Sequence, residues 1–157
     1  MGFDSNSKSI ACVLLERDSG NWVDSFLLES NLKEADKRLL ELSSDLLMIL
    51  REKKIIRDNY TAFIELPIYL QNPKTTILLA QVVTAVKLAC AQREVPYLGV
   101  DNLVWKKGVL GSGKVSKEQI ADFGNIRWGK EQFAGSQDLS DAACVALWGV
   151  LRLRQVV

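Results

Sequence analysis

The chain has 157 residues, a formal net charge of +1 and an apolar fraction of 48%. This length corresponds to one domain and is sufficient to bury a core without disulfide or metal support. The near-neutral charge excludes a strongly basic, histone-like protein and an acidic disordered chain, but not a local basic patch. The sequence has no histidine, which excludes Ser-His-Asp and Cys-His triads. A metal site would therefore use oxygen ligands, which suit Mg²⁺ or Mn²⁺.

The three cysteines predict a reducing environment. Cys12, Cys90 and Cys144 are far apart and lie among apolar residues, a pattern typical of buried free thiols. No uninterrupted apolar run reaches about 18 residues, and no signal-like leader is evident. We therefore expect a soluble, cytoplasmic protein without a membrane partner.

The hydrophobic pattern predicts an α/β domain over residues 1–157. The predicted elements are strands over 1–4, 9–16 and 22–28, a helix from Asn31, a strand over 60–65, a helix from Pro73, a strand over 96–100, and helices over 116–123 and 138–154. Segment 102–114 is expected to be irregular and basic. Three antiparallel strands followed by two strand–helix units predict a mixed five-stranded sheet with helices on both faces.

The first two helices carry different signals. Asn31 is expected to cap the first, with Glu34 completing a capping box. The second begins with an Asn72 cap and Pro73 and is apolar nearly all round over residues 77–91. Such a helix is usually covered on two sides. One cover is the sheet, and a partner subunit is a candidate for the other, which favours a homodimer.

Four carboxylates occupy positions suited to metal chemistry. Asp4 ends the first strand, Glu65 ends the strand after the first helix, and Asp138 and Asp141 lie three apart near the start of the last helix. If the two strands are neighbours, their ends meet at one edge of the sheet. Two divalent cations about 4 Å apart would neutralise the four charges and form a phosphoryl-transfer site. Two simpler interpretations stay open: a helix cap for Asp138 and a surface charge for Glu65.

A glycine-rich segment offers a second candidate site. Residues 108–114 read G-x-x-x-x-G-K, but Val115 replaces the Ser or Thr of a P-loop and no apolar strand precedes the segment. We interpret this region as a cluster that contacts nucleic-acid phosphates, with a solvated charged loop as the alternative. Its members are Trp105, Lys106, Lys107, Lys114 and Lys117.

Four segments, in order, resemble the motifs of one family. Residues 2–7, 62–65, 111–120 and 138–143 are similar to the motifs G-I-D-P-G-S, A-I-E, G-x-G-x-A-x-K-x-Q-V and D-x-x-D-A of the RuvC-type Holliday-junction resolvases. The resemblance covers nearly the whole chain and implies an RNase H-like fold. It also implies a homodimer that binds four-way DNA junctions and uses Mg²⁺ to hydrolyse phosphodiesters in two opposed strands.

The resemblance assigns residues one by one. Asp4, Glu65, Asp138 and Asp141 match the family's catalytic carboxylates, and Lys117 matches the lysine of its basic motif. Two ions per active site are expected, with Mn²⁺ substituting for Mg²⁺.

Two positions depart from the family pattern. Asn6 replaces a turn glycine, which Asn tolerates because it accepts positive φ better than most residues. Bacterial housekeeping members place an aromatic residue three positions after the glutamate. Here that position is Ile68, and Tyr69, one residue later, is the candidate DNA contact.

Three functions are compatible with these features. The first is a structure-selective endonuclease acting on four-way junctions and other branched DNA. The second is a catalytically idle junction-binding protein, and the third is an RNA-processing nuclease on the same fold. The expected setting is a bacterial cell, and short, divergent chains of this kind also resemble phage-encoded members.

Overall fold

The computed structural model describes residues 1–67, 72–133 and 135–155. The strands are β1 (Gly2–Ser5), β2 (Ser9–Leu15), β3 (Trp22–Glu29), β4 (Ala62–Glu65) and β5 (Tyr97–Val100). The helices are α1 (Ala35–Glu52), α2 (Pro73–Gln92), α3 (Asn102–Leu110), α4 (Lys117–Trp128) and α5 (Gln137–Arg154), with a 3-10 turn at Lys130–Gln132.

The strands form one mixed sheet in the order β3-β2-β1-β4-β5. β1, β2 and β3 are antiparallel neighbours, whereas β4 is parallel to both β1 and β5. The predicted five-stranded mixed sheet is confirmed. β1 is short, yet it lies at the centre of the sheet and is paired on both sides. The amino group of Met1 extends this anchoring by donating a hydrogen bond to the Thr61 carbonyl oxygen at 2.8 Å.

The two faces of the sheet bury separate apolar cores. Alternate strand residues such as Phe3 and Ile64 pack with Leu46 of α1 and Val86 of α2 on one face. On the other face, strand and helix residues including Phe63 and α5 side chains form two further clusters. The cysteines are buried and unbridged, as predicted. Helices therefore cover both faces.

Helix α5 lies close to the sheet because a glycine stands at each of two contact points. Gly2 of β1 faces the backbone of α5, and Gly149 of α5 faces Phe63 of β4. A Cβ atom on Gly2 of β1 would lie 2.2 Å from the backbone nitrogen of Ala146, and one on Gly149 of α5 would lie 2.0 Å from the Phe63 ring. Any side chain at these positions would force the helix away. The close approach brings the start of α5 to the ends of β1 and β4.

The predicted start of the first helix is wrong. α1 begins at Ala35, and the side chain of its N-cap residue, Glu34, makes no capping hydrogen bond. The preceding segment is held instead by Arg38, a buried residue whose guanidinium donates to the carbonyl oxygens of Ser7, Leu32 and Lys33. A tertiary contact, invisible in the local pattern, keeps this segment out of the helix.

The prediction that segment 102–114 is irregular is wrong for most of its length. Its first part forms α3, which ends at Gly111 in the left-handed conformation, with a φ of 77°. α4 also continues beyond the predicted end at 123, through Gly124, where a Cβ atom would lie 2.9 Å from the ring of Phe133. Both helices pack beside α5, so tertiary burial extends them where local propensity is weak.

Helix α2 begins as predicted and has one uncovered side. The Asn72 side chain accepts a hydrogen bond from the Lys74 backbone N–H at 3.0 Å, and Pro73 occupies the first turn. One face is buried in the core, but Ile77 and Leu88 are 58% and 57% exposed. By length and composition alone α2 could span a membrane, a property that core helices of soluble proteins share.

Candidate active site

The structure brings the four predicted carboxylates together at one end of the sheet. β1 and β4 run in the same direction, and Phe3 pairs with Ile64. The next residues, Asp4 and Glu65, therefore lie beside each other at the strand ends. Asp138 and Asp141 lie in the first two turns of α5, which packs on this face.

Asp4 has the most perturbed environment of the four. Burial raises the pKa of its carboxyl well above the usual value, and the negative charges of Glu65, Asp141 and Asp138 raise it further. A hydrogen bond from the Ser5 backbone opposes this only in part. Asp4 is therefore close enough to all three other acids for each of their charges to raise its pKa.

Asp141 shares the same field from the helix side. Burial raises its pKa to about 6, the charges of Glu65 and Asp138 add to the effect, and the Gln137 hydrogen bond and the positive charge of Lys106 oppose it. The amide of Gln137 donates to Asp141 Oδ1 at 3.2 Å. Without a cation, the cluster is thus destabilised by its own charge.

Glu65 is held by two neutral donors from α3. The Asn102 side-chain amide donates to Oε1 at 2.7 Å, and the Trp105 indole N–H donates to Oε2 at 2.8 Å. This arrangement differs from that of a free surface charge. Sequence reasoning missed both donors. The available signal was that a tryptophan buried by its apolar neighbours needs an acceptor for its N–H.

Asp138 is held in a similar way by the turn after β1 and the first residue of β2. Asn6 Nδ2 and Ser9 Oγ donate to Asp138 Oδ2 at 2.9 and 2.6 Å. Asn6 Oδ1 in turn accepts from the backbone N–H groups of Lys8 and Ser9. Sequence reasoning treated Asn6 only as a turn residue. The helix cap is Ser136, whose side chain accepts from the Leu139 N–H, so Asp138 is available to the site.

The donor set fits a hard divalent cation. All four groups are carboxylates, and their mutual repulsion would be relieved by positive charge. Within the described ranges 1–67, 72–133 and 135–155, no three Asp, Glu or Cys side chains are already arranged closely enough to hold a metal ion by themselves. Mg²⁺ does not require one, since it commonly binds through one or two carboxylates with water and substrate phosphates completing the shell.

Of the four lysines predicted to contact DNA, one lies near the acidic cluster and three lie on the surface. Lys106 is partly buried, and its charge acts on Asp141. Lys107 on α3, Lys114 in the following loop and Lys117 at the start of α4 are exposed. Ser116 and Gln119 form a capping box that fixes the start of α4 and thus the position of Lys117.

The predicted DNA contact through Trp105 is wrong. Its side chain is 0% exposed, packs in the core beside α5 and binds Glu65. A side chain that is fully covered by protein cannot contact a DNA phosphate. Tyr69, the other aromatic candidate, lies outside the described residues.

Comparison with known proteins identifies one family. Residues 1–148 match the family described as “Crossover junction endodeoxyribonuclease RuvC”. A protein of that description from Sulfurovum sp. is 27% identical over 98% of this chain and 96% of its own length. One from Campylobacter jejuni is also 27% identical, over 98% of this chain and 95% of its own length.

Solved structures show the same fold. The chain resembles “Thermus thermophilus RuvC structure” with a TM-score of 0.78 and 17% identity, covering 99% of this chain and 95% of the other. It resembles “T. thermophilus RuvC in complex with Holliday junction substrate” with a TM-score of 0.79 and 19% identity, covering 99% and 94%. The fold is therefore the RNase H-like fold of these proteins.

Proposed function

This chain belongs to the RuvC family of crossover junction endodeoxyribonucleases, and we propose that it cuts four-way DNA junctions, and other branched DNA, by metal-dependent phosphodiester hydrolysis. The observation that carries the proposal is the convergence of four carboxylates where β1, β4 and α5 meet. The whole chain acts as one nuclease domain. The bacterial relatives support action in the cytoplasm of a bacterial cell.

In this proposal the metal would be held by four carboxylates, those of Asp4, Glu65, Asp138 and Asp141. Two Mg²⁺ ions, with Mn²⁺ as a substitute, would activate the attacking water and stabilise the leaving oxygen. Asp4 lies within the field of the other three acids and is the candidate shared ligand. The neutral hydrogen bonds to Glu65 and Asp138 hold these carboxylates in place without neutralising them.

Exposed lysines supply the phosphate contacts of the substrate. Lys107, Lys114 and Lys117 lie on or after α3, the helix that holds Glu65, and Lys106 lies beside Asp141. Positive charge at this place attracts the DNA backbone and offsets the repulsion between phosphates and the acidic cluster. These contacts bind the backbone and carry no base specificity by themselves.

The active assembly in this proposal is a homodimer formed through α2. Its exposed Ile77 and Leu88 would be covered by the same helix of a second copy, in the isologous contact that most dimers use. A four-way junction has two equivalent strands to cut. Two sites related by a two-fold axis would nick them at symmetry-related positions.

A cleavage assay with labelled four-way junction, duplex DNA and RNA hairpin tests the function. With Mg²⁺ or Mn²⁺ we expect paired nicks in opposed strands of the junction and little cutting of duplex or RNA. Ca²⁺ should support binding with little cutting, because it favours looser, higher coordination. Cutting in EDTA would refute the metal requirement. Preferred cutting of the hairpin would favour an RNA-processing nuclease, and binding without cutting under all conditions an idle junction-binding protein.

A further inference from the structure

The first turn of α3 forms a clamp around Glu65, consisting of Asn102 and Trp105. Each residue donates one hydrogen bond, and each binds a different carboxylate oxygen, at 2.7 and 2.8 Å. The clamp is rigid on the indole side, because Trp105 is fully buried with Phe63 and Val145. The direction of the Glu65 carboxylate is therefore set by α3, not by its own strand alone.

The clamp is neutral, which distinguishes it from an ion pair. Among the described residues, no lysine or arginine forms a salt bridge with Glu65. An amide and an indole each use one lone pair of an oxygen and leave the carboxylate its negative charge. The remaining lone pairs stay available for a cation. A basic partner would instead compete with the metal for the charge.

We propose that Trp105 and Asn102 are positioning residues that orient Glu65 for binding a divalent cation. Partners that hydrogen-bond to metal-ligating side chains commonly fix ligand direction, and their loss costs about 10- to 100-fold in metal affinity or activity. The inference rests on the proposed metal-dependent function. It adds that α3, which contributes no carboxylate to the cluster, determines how well the metal is held.

Trp105→Phe is the sharpest test, since it removes the N–H but keeps an aromatic ring in the core. Trp148→Phe is the matched control. Trp148 packs against Phe63 with ring centroids 5.9 Å apart in the same region, but the hydrogen bonds to Glu65 come from Asn102 and Trp105 and not from Trp148. Binding of Mn²⁺ to the full-length protein is measured by calorimetry, together with the unfolding temperature in EDTA.

We expect Trp105→Phe to weaken Mn²⁺ binding by about tenfold or more and Trp148→Phe to leave it unchanged. Junction affinity in EDTA should be the same for both. In cleavage assays, Trp105→Phe should raise the Mg²⁺ concentration for half-maximal rate more than it lowers the rate at saturating Mg²⁺. A merely structural role would not produce this split.

Asn102→Ala is a second variant that keeps the test decisive if Trp105→Phe fails to fold. Asn102 is partly exposed and makes the other half of the clamp. Wild-type Mn²⁺ affinity in Asn102→Ala and in any folded Trp105→Phe protein would overturn the inference, as would an equal loss in Trp148→Phe. If the wild-type protein itself neither binds Mn²⁺ nor cuts junctions, the proposed function fails instead.

Discussion

The two faces of the sheet are covered by helices of similar apolar content that have different consequences. α5 presents small residues, including Ala142, Ala146 and Gly149, so that its backbone approaches β1 and β4 closely. α2 buries Val83 and Val86 through larger side chains and leaves a second side exposed. Close packing on one face brings the acidic cluster together, and incomplete covering on the other leaves Ile77 and Leu88 exposed on the side that the proposed dimer would bury.

The largest effect is expected on the α5 face, from removing the charge of a site carboxylate. Glu65→Gln and Asp141→Asn should each lower junction cleavage by several orders of magnitude, because the amide keeps the shape but loses the charge that holds the metal. Junction binding should persist or tighten as repulsion with phosphates falls. Gel-based cleavage and binding assays measure both, with the exposed Asp58→Asn as control. Wild-type cutting by Glu65→Gln would remove that residue from the site.

The close approach of α5 can be broken at Gly149. Gly149→Ala should lower the free energy of unfolding by about 1–3 kcal/mol, because its Cβ would overlap the Phe63 ring. Urea unfolding followed by circular dichroism measures the change. Gly113→Ala is the control, since its Cβ would meet Leu103 at an ordinary 3.4 Å. Equal stability of the two variants would contradict close packing as the cause.

The α2 face is tested by placing a charge on its uncovered side. Leu88→Glu should convert the proposed dimer to a monomer at micromolar concentration, because burying an unpaired carboxylate in the interface is costly. Leu40→Glu on α1 is the control, since Leu40 is 70% exposed and lies outside α2. Ala89 is unsuitable for this test, because it is buried and a charge there would disrupt the core. Light scattering measures the oligomeric state of each variant. A wild-type protein that is monomeric and makes single, unpaired nicks would refute the proposed dimer.

Burial of the carboxylates and repulsion between them should lower the free energy of unfolding of the metal-free protein as the pH rises. The folded-state pKa values of Asp4 and Asp141 lie above the unfolded value, so the folded protein holds protons more tightly. In EDTA, stability should therefore fall as pH rises from about 4 to 6 through the Asp141 transition. Asp4→Asn should flatten this decline and raise the melting temperature at pH 7 by a few degrees. A steeper decline in Asp4→Asn than in wild type would contradict this sign.

The smallest effects are expected from single surface lysines. Lys114→Ala and Lys117→Ala should each weaken junction binding severalfold for any sequence and lower the salt slope by about one. Lys54→Ala, just after α1 and away from the acidic cluster, is the control. Fluorescence anisotropy over a salt series measures the slope. Unchanged affinity together with lost cleavage would assign these lysines to the chemistry instead.

Much of this protein followed from its sequence. The sequence predicted the five strands and four of the five helices in their order, the cap formed by Asn72 and Pro73, the buried cysteines and the convergence of the four carboxylates; it did not predict α3. These features depend on local periodicity, capping chemistry and the rule that parallel strands end at one edge. Each of these features depends on residues that are close together in the sequence, or on the direction in which a strand runs.

The tertiary structure decided the rest, because the deciding partners are distant in sequence. Trp105 lies in a basic segment that suggested DNA contact, and only the fold shows it buried against Glu65, 40 residues earlier. Asn6 reads as a turn residue until α5 brings Asp138 to it across 132 residues. Arg38 likewise holds the segment before α1 through a carbonyl 31 residues away. Hydrogen bonds of this kind depend on the assembled fold, and no local pattern encodes them.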